Sequence, residues 1–122
     1  MQPTTLCNLN CSYCYLPDRA VSQRMSLSVA DVVAATVREW SRAHPVRVLW
    51  HGGEPLATGV PHFRALLARF GSGESHPVRH AVQTNATLID RSYSAAPEVG
   101  VRLDVAGRSF GRCVGLILRV LL

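Results

Sequence analysis

Cys7-Asn8-Leu9-Asn10-Cys11-Ser12-Tyr13-Cys14-Tyr15 is the stretch from which the rest of the chain can be read. Its spacing, Cys-x3-Cys-x2-Cys, offers three thiolates and no obvious fourth. Thiolates are soft, strongly donating ligands that suit zinc and iron-sulfur centres. A cluster held by four cysteines usually carries electrons, whereas one held by three leaves an iron free to bind and activate another molecule. Two other readings stand beside this one. Positions 7, 11 and 14 share one face of a helix, where the cysteines would be buried small hydrophobes, although Asn8 and Asn10 suit a loop better than a helix interior. A structural zinc site would draw its fourth ligand from His51.

Outward from the cysteines, strands and helices alternate. Thr4 to Leu6 is a short first strand, and Pro17 to Met25 is a polar loop. A helix follows, with Ser28 as N-cap and Asp31 three residues on. Val29, Val32, Val33, Thr36, Val37 and Trp40 repeat at helical spacing, and His44-Pro45 ends the run. Val46 to Trp50 is a buried second strand broken by Gly52-Gly53. Pro61 suits a first helical turn. Phe63, Leu66, Leu67 and Phe70 make one apolar stripe before Gly71-Ser72-Gly73 stops it. Val78 to Gln83 is a third strand, Thr87 to Ala95 a helix ended by Pro97, and Val101 to Val105 a fourth strand. This alternation implies right-handed crossovers and a parallel sheet. Trp40 and Trp50 are expected in the core, and His44, His62, His76 and His80 on the surface or in loops.

Each distinctive segment falls just after a strand. The cysteines follow the first, His51-Gly52-Gly53-Glu54-Pro55-Leu56 the second, and Gln83-Thr84-Asn85-Ala86-Thr87-Leu88-Ile89 ends the third. In parallel sheets and barrels chemistry gathers at the C-terminal strand ends, so the three are expected to converge.

Taken together, these segments resemble the signatures of the radical S-adenosylmethionine (radical SAM) enzymes, in the family's order. The Gln-Thr-Asn segment points to the branch of SPASM-type peptide maturases and anaerobic sulfatase-maturating enzymes. Gln2 to Ile89 is most similar to maturases that form cyclophane peptides by linking aromatic rings to other side chains. The resemblance implies an α/β fold, the N-terminal portion of a partial TIM-like (βα)6 barrel. It assigns Cys7, Cys11 and Cys14 to three irons of a 4Fe-4S cluster, with SAM chelating the fourth. Tyr13 would lie near the adenine. Gly52 and Gly53 would let the backbone approach the methionine end, Glu54 would accept from the SAM amino group, and Pro55 would stiffen the turn. Thr84 and Asn85 are candidates for ribose or methionine contacts. The implied reaction is reductive cleavage of SAM to a 5′-deoxyadenosyl radical, fed by an external donor such as flavodoxin or ferredoxin. That radical would take a hydrogen from a ribosomal peptide or protein substrate. No residue is assigned to handle the substrate radical.

Length bounds this reading. A full eight-unit barrel takes about 250 residues, so 122 residues supply only the first part of a catalytic domain. Residues 1–94 read as the N-terminal half of that core. Residues 95–122 read as a divergent tail in which the expected Ser-x-Asp-Gly-Pro segment is absent, as in a truncated or frame-shifted product. Asp104 has no role there, and Cys113 is expected as an unpaired buried thiol. The apolar run to Leu122 is too short to span a bilayer. Hydrophobic residues make up 48% and charged residues 17% of the chain, which speaks against disorder. The net charge of +5 comes from scattered arginines without any lysine, so neither a nucleic-acid nor a membrane partner is expected. Without a secretory pattern the cytoplasm is expected, where cysteines serve as ligands or free thiols rather than disulfides. The alternative function is a noncatalytic remnant that binds zinc or an iron-sulfur cluster.

Overall fold

A computed structural model describes residues 1–71 and 78–90 in full, and the backbone of 100–102, 108–110 and 113–121. Helix α1 spans Leu27–Ser41 and is capped by Ser26, whose Oγ accepts from the Val29 amide at 3.2 Å. The cap lies two residues before the expected Ser28, which instead shares a hydroxyl contact of 2.9 Å with Ser26. The cause is the preceding residue, Met25. Its amide donates to the Pro3 carbonyl at 2.9 Å, fixing the chain's entry two residues earlier. The helix also stops at Ser41, short of His44-Pro45.

The face that α1 buries carries Ala30, Ala34, Val37 and Ser41. Val32 and Trp40 are 70% and 60% exposed, and Val29 is exposed too, so the expectation that Trp40 belongs to the core is wrong. Two neighbouring stripes both have helical period. The smaller side chains face inward because they let the helix axis lie closer to its neighbours.

Strand β1 (Arg47–Trp50) pairs in parallel with β2 (Arg79–Thr84), from Arg47 opposite Arg79 to Trp50 opposite Val82. Between them run a 3-10 turn, Pro55–Thr58, and helix α2, Val60–Ala68. Both strands match the expected ones to within a residue. The α2 stripe packs as read, with Phe63, Leu66, Leu67 and Phe70 all buried.

Trp50 is the centre of the core. Phe63 and Phe70 meet its ring edge-on at centroid distances of 5.6 and 5.5 Å, and His80 stacks on it at 6.1 Å. Its indole N–H donates to His80 Nδ1 at 3.1 Å. His80 is thus no surface residue. It is 2% exposed, and its Nε2 has no hydrogen-bond partner among the described residues. Burial in this aromatic cage lowers its pKa to about 4. His44 is exposed as expected, His62 is half-buried against the Met25 carbonyl at 3.0 Å, and His76 lies outside the described residues.

The first segment is not a regular strand. Thr4 makes only an isolated antiparallel bridge to Arg24, because Pro3 lacks an N–H and the Thr4 hydroxyl diverts the chain. That hydroxyl donates to the Gln23 carbonyl at 2.8 Å and accepts from the Leu6 amide at 3.2 Å. The segment still lies beside the end of β1. The His51 amide donates to the Met1 carbonyl and the Glu54 amide to the Leu6 carbonyl, both at 2.8 Å.

Beyond β2 the structure departs from the expected pattern. Thr87 to Asp90 form a turn and its exit rather than a helix start, since the Thr84 and Asn85 side chains capture the amides of Ala86 and Thr87 and Ala86 adopts φ +64°. The remainder of that expected helix lies outside the described residues. Strands β3 (Gly100–Arg102), β4 (Arg108–Phe110) and β5 (Cys113–Leu121) follow. The sheet order is β1-β2-β5-β3, with β4 also on β5. Strand β5 runs antiparallel to β2, β3 and β4, so parallel pairing holds for β1 and β2 alone among the described strands. The fourth strand appears at the start of the expected Val101 to Val105 stretch, whose residues 103–107 lie outside the described residues. The run into β5 is rich in β-branched and aliphatic residues, which favours a strand. No helix among the described residues is long and apolar enough to cross a membrane.

Candidate metal centre

Residues 7–15 form a loop with a single turn at Ser12-Tyr13, which removes the reading of the cysteines as one buried helix face. The loop is held by its backbone. The Cys7 amide donates to the Arg19 carbonyl at 2.9 Å, and the Cys14 amide to the Cys11 carbonyl at 3.2 Å. Arg19 Nη1 donates to the Cys11 carbonyl at 2.9 Å. Its side chain thereby spans the loop.

The three segments converge in space, although the cysteines follow an isolated bridge rather than a strand. Cys7, Cys11, Cys14 and Tyr13 line one cleft of about 180 Å³ together with Gly52, Gly53 and Glu54 from the end of β1 and Thr84 and Asn85 from the end of β2. His51, Leu9 and Leu16 line it as well. Pro55 does not. It is buried behind the wall as the first residue of the 3-10 turn. The volume lies below the roughly 300–1,000 Å³ usual for drug-sized ligands, so these residues make one wall of a site for anything as large as a nucleoside.

Glu54 ties the walls together. Its carboxylate, 1% exposed, accepts from Thr84 Oγ1 at 2.6 Å, the Asn85 amide at 2.8 Å and the Leu56 amide at 3.0 Å. The Thr84 hydroxyl and the Glu54 carboxylate therefore already hold each other. The glycines have local causes. Gly53 has φ +61°, and a Cβ there would stand 2.6 Å from the Leu6 carbonyl oxygen and 2.7 Å from that of Thr4. Gly52 has φ +86°, and its Cβ would press on the Gln2 side chain at 3.1 Å. Gly53→Ala should therefore push the Thr4 to Leu6 segment, and Cys7 with it, off the end of β1. We expect a loss of about 3 kcal/mol in chemical denaturation, from the left-handed backbone plus the clash, against about 1 kcal/mol for Gly71→Ala, which carries the backbone cost alone. Gly71 also has positive φ, but its Cβ would meet nothing.

Cys7 and Cys14 are free thiols. Cys11 is disulfide-bonded, contrary to the expectation of thiols only, and its sulfur can reach iron only after reduction. Among the described residues no three His, Cys, Asp or Glu side chains stand close enough together to hold a metal ion. The three cysteines are of the donor type that holds a thiolate-bound cluster and line one cleft, but their sulfurs are not gathered into a ligand set among the described residues. Burial lowers the pKa of His51, with the nearby N-terminal ammonium adding to the effect, so its imidazole is neutral at pH 7. Side chains missed at the sequence level also shape this site. Asn8 and Thr87 join Asn85 in a ring of hydrogen bonds, for which the only sequence signal was a run of small polar residues beside the motifs.

Residues 1–107 match the radical SAM superfamily. The chain belongs to that superfamily. A protein of uncharacterised function from Synechocystis is 33% identical over 116 residues, covering 85% of this chain and 29% of its own length. An uncharacterised protein of Archaeoglobus fulgidus is 32% identical over 111 residues, covering 85% and 24%. A serine-type anaerobic sulfatase-maturating enzyme of Klebsiella pneumoniae is 30% identical over 96 residues, covering 71% and 23%. The radical SAM chain described here thus spans less than a third of each of these relatives. No solved structure matches it. Membership implies an iron-sulfur cluster and SAM as cofactors, and the homology to maturases implies an enzymatic family.

Proposed function

We propose that Cys7, Cys11 and Cys14 hold a 4Fe-4S cluster, and that the chain is the SAM-binding part of an enzyme that modifies side chains of a ribosomal peptide or protein. The observation that carries this reading is the convergence on one cleft of three separated motifs, the cysteine loop and the segments at the ends of β1 and β2. When bound, the cluster and SAM would supply a strong hydrogen-abstracting radical after reduction by an external donor such as flavodoxin or ferredoxin. This chain's residues would do the holding. The three thiolates bind iron, Tyr13 offers an exposed ring at the cleft, and Gly52 and Gly53 present backbone without side chains. Glu54 and Thr84 keep the two strand ends at a fixed separation. The SPASM-type and cyclophane assignments rest on the motif resemblance.

Anaerobic reconstitution with iron and sulfide after thiol reduction tests the proposal. About four irons per chain, lost in Cys7→Ser and Cys14→Ser, together with 5′-deoxyadenosine released from SAM, are expected. Cluster formation without SAM cleavage would mark a noncatalytic remnant. Stoichiometric zinc with no cluster would replace both readings by the zinc site, which His51 in the same cleft makes the specific rival.

A further inference from the structure

Asn8 Nδ2 donates to Thr87 Oγ1 at 2.7 Å, Thr87 Oγ1 donates to Asn85 Oδ1 at 2.7 Å, and Asn85 Nδ2 donates to Asn8 Oδ1 at 3.0 Å. Each side chain gives one hydrogen bond and receives one, so the three close a ring in which every bond polarises the next. The Thr87 amide adds a fourth bond to Asn85 Oδ1 at 3.0 Å. The ring joins the cysteine loop to the turn after β2 across more than seventy residues of sequence.

Its position relative to Cys7 is the point. On one side of Cys7, the Leu6 carbonyl accepts from the Glu54 amide at 2.8 Å. On the other side, Asn8 is held by Asn85 and Thr87. Cys7 is thus gripped through both neighbours by the ends of β1 and β2. Cys14 lies outside the ring, and its own amide bond stays within the loop.

We infer that Asn8, Asn85 and Thr87 are positioning residues that fix Cys7 against the ends of β1 and β2 before metal arrives. The inference rests on the reading of Cys7 as a cluster ligand. It assigns the Asn85 side chain to the loop rather than to a ribose or methionine contact.

The test compares alkylation rates of Cys7 and Cys14 by iodoacetamide in the metal-free full chain, followed by peptide mapping. Asn8→Ala, which removes both bonds that hold Asn8, should raise the Cys7 rate about fivefold or more. Thr87→Val, which leaves the bond from Asn85 Nδ2, should raise it less, and both should leave the Cys14 rate unchanged. The double variant should be no faster than Asn8→Ala alone, because that substitution already removes both ring bonds that reach the cysteine loop. Thr87→Ser, which keeps the hydroxyl, should behave as wild type. Unchanged Cys7 rates, or Cys14 rates rising in step as in a general loosening, would overturn the proposal. In reconstituted protein, Asn8→Ala should alter the electron paramagnetic resonance spectrum of the reduced cluster. A cluster spectrum identical to wild type would also overturn it. A wild-type chain that takes up no cluster sinks the functional reading instead, and the metal-free rates then still decide whether the ring holds Cys7.

Discussion

Trp50→Ala is expected to cost about 3–5 kcal/mol, enough to unfold much of a domain whose whole stability lies near 5–15 kcal/mol. Trp50 is fully buried, and three rings close on it: Phe63, Phe70 and His80. Truncation leaves a cavity that helix α2 and the two strands cannot all move to fill. It also strips His80 Nδ1 of its donor, and His80 would then have neither ring nitrogen satisfied among the described residues. Urea denaturation followed by circular dichroism measures the loss. Trp40→Ala is the internal comparison. Exposed on α1, it should change stability by only about 0.5 kcal/mol, and equal losses at the two tryptophans would refute this account of the core.

The second large effect is on acid stability. His80 has its pKa lowered from 6.5 to about 4 by burial, so the unfolded chain binds a proton between those values that the folded chain refuses. The contribution is fully present above pH 6.5 and is lost as the pH falls from 6.5 to 4. At about 1.4 kcal/mol per pH unit, it amounts to about 3 kcal/mol. The rings packed against His80, those of Trp50 and Phe70, carry no charge in this range. Urea midpoints of wild type and His80→Phe, taken at intervals from pH 7 to pH 4, isolate the effect. The wild type should lose stability faster with acid, and parallel curves would show that His80 does not titrate this way.

The two cases illustrate what can be read from the chain. Trp50 sits between Val46 and Gly52 in a short apolar run, and Phe63, Leu66, Leu67 and Phe70 have a single helical stripe, so period alone places them. On α1 two adjacent stripes share the period. Which one packs is decided by how closely the helix can approach, a property of the assembled layers. His80 defeats the pattern for another reason. It occupies an inward position of β2, and only a partner from β1, the Trp50 N–H, makes that position tolerable. Convergence of the cleft was legible because strand ends in a parallel pair share an edge. The bonds inside it were not, since Glu54 gripping Asn85 and Asn8 gripping Thr87 depend on how far one turn reaches toward another. The first segment and the tail diverge from the expected strands because local hydroxyl bonds and antiparallel pairing offered the backbone other partners.

Strand β5 has a further consequence. A backbone edge can satisfy only one neighbour at a time, and from His80 to Thr84 the outer edge of β2 is already spoken for by residues 116–120 running the opposite way. A further parallel strand at that edge would have to displace β5 rung by rung, so β5 switches the sheet from parallel to antiparallel pairing at β2 and hands its own far edge on to β3.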